Sequence, residues 1–192
     1  MSEEIEQADG AAEAAETHRN DYHHGAGDSA LLIALPELDR HLMPWVLATA
    51  PDGMTTHITV LVPFLPEAEI TEDVLADLRG IFAGFAAHDL TLAKIARFPT
   101  VLYLAPEPDQ PVRGMIAALG ARWPQCPPYG GAFDDTTPHL SVVRDATEAG
   151  YAEAARIIET RLPLRTRVAA VDLLVYDGGR WNLRERFPLA AG

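Results

Sequence analysis

Two short segments of this chain read alike: Thr56-His57-Ile58-Thr59-Val60 and Pro138-His139-Leu140-Ser141-Val142. Each carries a histidine, an apolar residue, a hydroxyl residue and a valine, in that order. On an extended strand, positions i and i+2 share a face. His57 is therefore placed beside Thr59, and His139 beside Ser141, while Ile58, Val60, Leu140 and Val142 turn the opposite way, toward a core. An imidazole titrates near neutrality, so one ring can accept a proton while a second, charged ring donates one. A hydroxyl two residues further on can donate a hydrogen bond to a phosphate oxygen. Two such pairs facing one another suit acid–base chemistry with hydroxyls at hand for phosphate oxygens. Two histidines are fewer than the three protein ligands of a catalytic zinc, and no carboxylate-rich magnesium set accompanies them. No metal and no cofactor is expected.

Spacing alone is a weak signal. With 7 histidines and 16 serines and threonines in 192 residues, random placement gives about 0.6 such pairs. Context adds the rest. Both segments open an apolar strand, both follow a turn-like stretch, and the other five histidines do not fit the pattern.

The elements that must position these residues follow from hydrophobic period and punctuation. Ala30 to Leu35 is a short apolar run ended by Pro36, read as a buried strand. A helical stretch from Pro36 is interrupted at Pro44, and Pro51-Asp52-Gly53 is a turn. His57 to Leu65 is the first motif strand. Thr71, Glu72 and Asp73 open a helix with a capping hydroxyl and first-turn acids; Val74, Leu75, Leu78, Ile81, Phe82 and Phe85 keep its 3.6-residue period. Residues 89–98 and 100–105 read as two strands joined at Pro99. Asp109 is expected to cap a helix bearing Val112, Met115, Ile116 and Leu119. A Pro/Gly-rich loop, Trp123 to Gly131, leads to the second motif strand, Pro138 to Val143. Asp145 and Glu148 read as a capping box for a helix with Tyr151, Ala155, Ile158 and Leu162. Two final strands, 165–176 and 180–187, flank the hairpin turn Asp177-Gly178-Gly179. The order β α β α β β α β α β β predicts an α+β fold rather than a doubly wound parallel sheet.

Charge divides the chain in two. The net charge is −13. Residues 1–28 hold eight acids against Arg19 alone and have little apolar content, so they are expected to form a disordered acidic tail. Residues 29–192 read as a single domain with a net charge of −6. Tyr22-His23-His24 is read as part of the solvated tail, not as a metal site. A broad basic face is missing, which argues against duplex DNA, extended RNA and a polybasic membrane contact. No apolar run is long enough to span a bilayer, and the N-terminus lacks a secretory pattern, so a cytoplasmic protein without membrane partners is expected. The single cysteine, Cys126, excludes an internal disulfide and is read as structural.

The two motifs, the opening strand Leu31 to Pro36, the Pro63-Phe64 ending of the first motif strand and the Tyr129-Gly130-Gly131 loop resemble the 2H phosphoesterases. These are the relatives of the bacterial 2′-5′ RNA ligase and of cyclic phosphodiesterases. The resemblance covers about residues 29–187. It implies a two-lobed, pseudo-symmetric α+β fold, with small antiparallel sheets backed by helices and one motif from each lobe in a central cleft. It implies hydrolysis of a 2′,3′-cyclic phosphate or a 2′-5′-linked nucleotide, and ligation in reverse. His57 then activates water, His139 protonates the departing oxygen, and Thr59 and Ser141 hold the non-bridging oxygens. Tyr129 and Phe133 could stack on a base or simply pack the loop. Phe64 could line the cleft or the core, and Arg144 could meet a phosphate or a surface carboxylate. The partner implied is a small nucleotide or RNA terminus, bound by a monomer. A binding module of the same fold, with little turnover, is the alternative.

Overall fold

The structure is a computed structural model and describes residues 24–42, 45, 54–133 and 136–192. The tail before His24, the interruption at Pro44 and the turn at 51–53 lie outside the described residues.

Among the described residues, apolar alternation produces eight strands: β1 Ser29–Ala34, β2 His57–Leu61, β3 His88–Phe98, β4 Val101–Glu107, β5 Leu140–Arg144, β6 Leu164–Val168, β7 Ala170–Tyr176 and β8 Trp181–Pro188. Four helices lie between them: the single turn α1 Asp39–Leu42, then α2 Glu72–Ala83, α3 Gln110–Arg122 and α4 Glu148–Glu159. The strands form two four-stranded antiparallel sheets, ordered β2-β1-β7-β8 and β5-β4-β3-β6. The two orders correspond. In each, a motif strand lies at the edge, and the strand next to it is the one that precedes it in sequence across a helical connection.

Leu31, Ile33, Ile58, Val60 and Leu173 point from the first sheet into the core. Leu90, Leu92, Leu104, Leu140 and Val142 do so from the second. The apolar faces of α2, α3 and α4 complete the same continuous cluster through residues such as Leu78, Met115 and Ile158. Phe82 of α2 lies 5.5 Å from Phe187 of β8, an aromatic contact worth about 0.5–1.5 kcal/mol beyond its buried area. On the opposite face of the first sheet Ala30, Leu32 and Trp181 form a second, smaller cluster, and the motif side chains lie on these opposite faces.

Several local expectations change. The stretch 165–176 is not one strand. It splits at Ala169 into β6, which pairs with β3, and β7, which lies between β1 and β8. The chain changes sheet there without a glycine or proline to mark it. Thr147, not Asp145, caps α4: its Oγ1 accepts from the Gly150 amide at 3.2 Å. Asp145 instead takes φ of 49°. Asp109 precedes α3 without capping it, because its carboxylate accepts from Arg113 Nε at 2.6 Å. Finally, residues 24–28, assigned above to the tail, dock on the body. The Gly27 amide donates to the Tyr176 carbonyl at 2.7 Å, and the His24 ring stands edge-on to Trp181 at 4.8 Å.

Candidate active site between two edge strands

Strands β2 and β5 are each at a sheet edge and touch one another without joining into one sheet. Exposed strand edges ordinarily attract stray pairing; here the two edge strands meet one another. Ile58, Val60, Leu140 and Val142 are buried, while His57, Thr59, His139 and Ser141 are half-exposed on the other face. The period-2 reading of both motifs holds in the structure. Burying four apolar side chains at roughly 1.5–3 kcal/mol each fixes which way the histidines point.

Both histidines are anchored alike. His57 Nδ1 lies 2.7 Å from the Thr55 carbonyl, and His139 Nδ1 lies 2.9 Å from the Thr137 carbonyl. A carbonyl only accepts, so Nδ1 carries the hydrogen in each ring. Nε2 is then the atom each histidine offers to the cleft. Burial lowers the pKa of both rings. For His57, the bond to Thr55 and the Asp39 charge counter this, while Arg144 adds to it. His139 is pulled down to about 4 by burial, with Arg144 and His57 adding to the effect against its bond to Thr137. Phe98 and Tyr103 pack against His139. They stack at 4.3 Å, and their rings stand edge-on to His139 at 5.1 and 5.5 Å. Sequence reasoning missed both. Tyr103 is opposite Ser141 in the β4–β5 register, so once that pairing is known, sheet parity identifies it.

Arg144 ends β5, and its Nη2 donates to Ser141 Oγ at 2.9 Å. Ser141 thereby accepts with its oxygen and keeps its own O–H for a ligand. Among the described residues Arg144 meets no carboxylate, and its charge acts on His57, His139 and Tyr129 together. The surface ion pair considered for Arg144 is not formed among the described residues.

Tyr129 reaches the first motif from the loop before the second. Its amide donates to the Val62 carbonyl at 2.6 Å, just beyond β2. Burial raises its phenol pKa, opposed by the Arg144 charge and by a hydrogen bond with the Thr59 side chain. Its backbone is left-handed, with φ of 53°, followed by Gly130 at 65° and Gly131 at 82°. For a tyrosine that conformation costs about 1–2 kcal/mol, and such outliers concentrate at functional sites. Phe133 lies edge-on to Tyr129 at 5.6 Å and is 46% exposed. Phe64 is not in the cleft. It is 5% exposed and packs edge-on to Trp123 at 5.1 Å, so its ring serves the core. Cys126 is buried as well, and burial raises its thiol pKa.

A family model described as the 2′-5′ RNA ligase superfamily matches residues 36–180. The chain belongs to that superfamily, within the 2H phosphoesterases. Among solved structures, it is similar to TT0787 of Thermus thermophilus, with a TM-score of 0.59 and 18% identity over 85% of this chain and 98% of that one. It is also similar to Escherichia coli LigT in its apo form, with a TM-score of 0.58 and 18% identity over 87% and 99%. LigT complexed with 3′-AMP matches at a TM-score of 0.55, again at 18% identity, over 86% and 99%. No curated protein matches the chain by sequence. At such identities the structural likeness establishes the two-lobed fold. Superfamily membership places this 2H phosphoesterase among enzymes of phosphoryl transfer. Among its described residues, no helix is long and apolar enough to cross a membrane.

Proposed function

We propose that this protein is a metal-independent phosphodiesterase that hydrolyses a 2′,3′-cyclic phosphate, or a 2′-5′-linked nucleotide, by histidine acid–base catalysis. One observation carries the reading. Two histidines, anchored alike through Nδ1, offer Nε2 to one cleft that also holds an arginine without a carboxylate partner among the described residues. Water attacks phosphorus as one neutral imidazole takes its proton. The P–O3′ bond breaks, and the second, protonated imidazole delivers a proton to the departing oxygen. The product is a 2′-phosphate with a free 3′-hydroxyl. The Ser141 hydroxyl, Thr59 and Arg144 are placed to steady the charge that grows on the non-bridging oxygens. The same steps with a 5′-hydroxyl in place of water form a P–O5′ bond as the P–O3′ bond breaks, joining two ends through a 2′-5′ linkage; the reverse cleaves such a linkage to a cyclic phosphate and a 5′-hydroxyl.

Phe133 offers an exposed ring on which a base can stack, backed by Tyr129. The substrate is then a free nucleotide or a short RNA terminus, because Arg144 marks one phosphate position and the body's net charge opposes a long polyanion. The crystallisation of LigT with 3′-AMP agrees with a nucleotide ligand of that size.

The test is turnover of a 2′,3′-cyclic nucleotide in the presence of EDTA by wild type, His57→Ala and His139→Ala. Wild-type activity is expected to survive the chelator, and each variant to lose about 10²–10⁴-fold, the usual worth of a general acid or base. Loss of wild-type activity in EDTA rules out the metal-free mechanism. Full activity in both variants rules out the site, and intact cyclic-nucleotide binding with no wild-type turnover identifies a binding module.

A further inference from the structure

The two histidines share one mode of anchoring, yet the peptides that anchor them differ. The Thr55 carbonyl that accepts from His57 belongs to the Thr55–Thr56 peptide. The N–H of that same peptide donates to Asp39 Oδ1 of α1 at 2.9 Å. Imidazole, peptide and carboxylate therefore form one hydrogen-bonded chain, with Thr56 buried in its middle. An anion at one end polarises the peptide and makes its carbonyl oxygen a stronger acceptor. That favours the imidazolium, which holds a positive charge at the other end. On the second motif the anchoring carbonyl belongs to Thr137, and the next residue is Pro138. Proline has no N–H, so this peptide cannot relay a carboxylate. The adjacent turn is held instead by a cation: Arg113, paired with Asp109, donates to the Thr136 carbonyl at 3.1 Å.

We propose that Asp39 is a positioning residue that acts on His57 through the Thr55–Thr56 peptide and so commits His57 to the acid's role and His139 to the base's. This reverses the division expected from the sequence, and it rests on the phosphodiesterase reading above. The groups that face His57 agree with it. Arg144 from β5 opposes a positive charge on His57, Asp39 is the group whose charge favours one, and the charge of His57 in turn disfavours one on His139. Around His139, the Phe98 and Tyr103 rings and Arg144 disfavour protonation. A threonine after the anchoring threonine of the first motif admits the relay, and a proline in the same place in the second excludes it.

Asp39→Asn tests this, because the amide keeps an oxygen to accept from the Thr56 N–H while losing the charge. The first readout is NMR titration of the imidazoles in wild type and variant, which needs no turnover. The His57 midpoint is expected to fall by about one pH unit, equivalent to a tenfold change in proton affinity, while the His139 midpoint stays in place. An unmoved His57, or equal shifts of both rings, overturns the relay. The second readout is leaving-group dependence. Asp39→Asn is expected to lower kcat about tenfold on a 2′,3′-cyclic nucleotide, whose departing alkoxide needs a proton. On a 4-nitrophenyl phosphodiester, whose phenolate leaves unaided, it should change kcat less than about twofold. Equal losses on the two substrates overturn the assignment of roles. His57→Ala and His139→Ala run alongside. If those retain full activity, the catalytic reading has failed, while the titration still decides the relay.

Discussion

His139 sits edge-on to Phe98 and Tyr103, and burial there holds its imidazole down to about 4. His57 is also lowered from the ordinary histidine value of 6.5. The signs of these two shifts fix a pH profile. A base is lost as pH falls through its pKa, and an acid is lost as pH rises through its own. The profile of kcat/KM reports the free protein, so it is expected to rise through about pH 4 and to decline before 6.5. Initial rates at low cyclic-nucleotide concentration from pH 3.5 to 8.5 check this, and a profile still rising above neutrality contradicts it. Both histidines and both hydroxyls were legible in the sequence, because a period-2 strand with one buried face leaves a single choice for the other. Phe98 and Tyr103 were not legible. Tyr103 reaches His139 through the β4–β5 register, and Phe98, at the end of β3, stacks on Tyr103; no local signal in these strands states which residue will stand opposite Ser141.

Most strands and helices formed where hydrophobic period placed them, and the errors fell at their ends. The start of α4 separates a cap from a mimic. Thr147 Oγ1 accepts from the Gly150 amide, whereas Asp145, two residues earlier, sits in the left-handed region. Thr147→Ala is expected to cost about 1 kcal/mol in urea denaturation. Asp145→Gly should leave stability unchanged or raise it slightly, since glycine adopts positive φ without the side-chain penalty. The reverse ranking would restore Asp145 as the cap. The division of 165–176 at Ala169 has a different origin. Val168 and Val171 are both fully buried, so the apolar pattern runs on while the pairing partners change. Periodicity reports that a residue is buried in a strand; it does not report against which sheet.

Across the molecule as a whole, that change of sheet has a mechanical consequence. The first sheet takes β1 and β2 from one end of the chain and β7 and β8 from the other. β7 is one of its two inner strands and covers β1 along the ladder from Ser29 to Leu32. A chain ended at Val168 keeps every candidate site residue but strips one side of β1 and removes Val171, Leu173 and Phe187 from the core. Such a chain is expected to show no cooperative unfolding in urea and no phosphodiesterase activity. A cooperative transition would show that the second sheet folds by itself. Net charge also reads differently here. A body at −6 still carries one guanidinium at the cleft with no carboxylate beside it among the described residues. A cation thus stands beside both motif histidines in a protein whose net charge is negative.

The order of residues was enough to say which side chains share a face, which faces are apolar, and therefore that two histidine–hydroxyl pairs escape the core. Those are consequences of strand pleat and hydrophobic burial, and they act over a few residues. Three further facts came from folding in three dimensions: the two motif strands meet, aromatic rings crowd one histidine, and Asp39 is hydrogen-bonded to the peptide that anchors the other. Each of these joins residues distant in sequence, through edge-strand contact, cross-strand register or a helix turn laid against a loop. Such pairings are set by the packing of the whole chain, and local pattern carries no record of them.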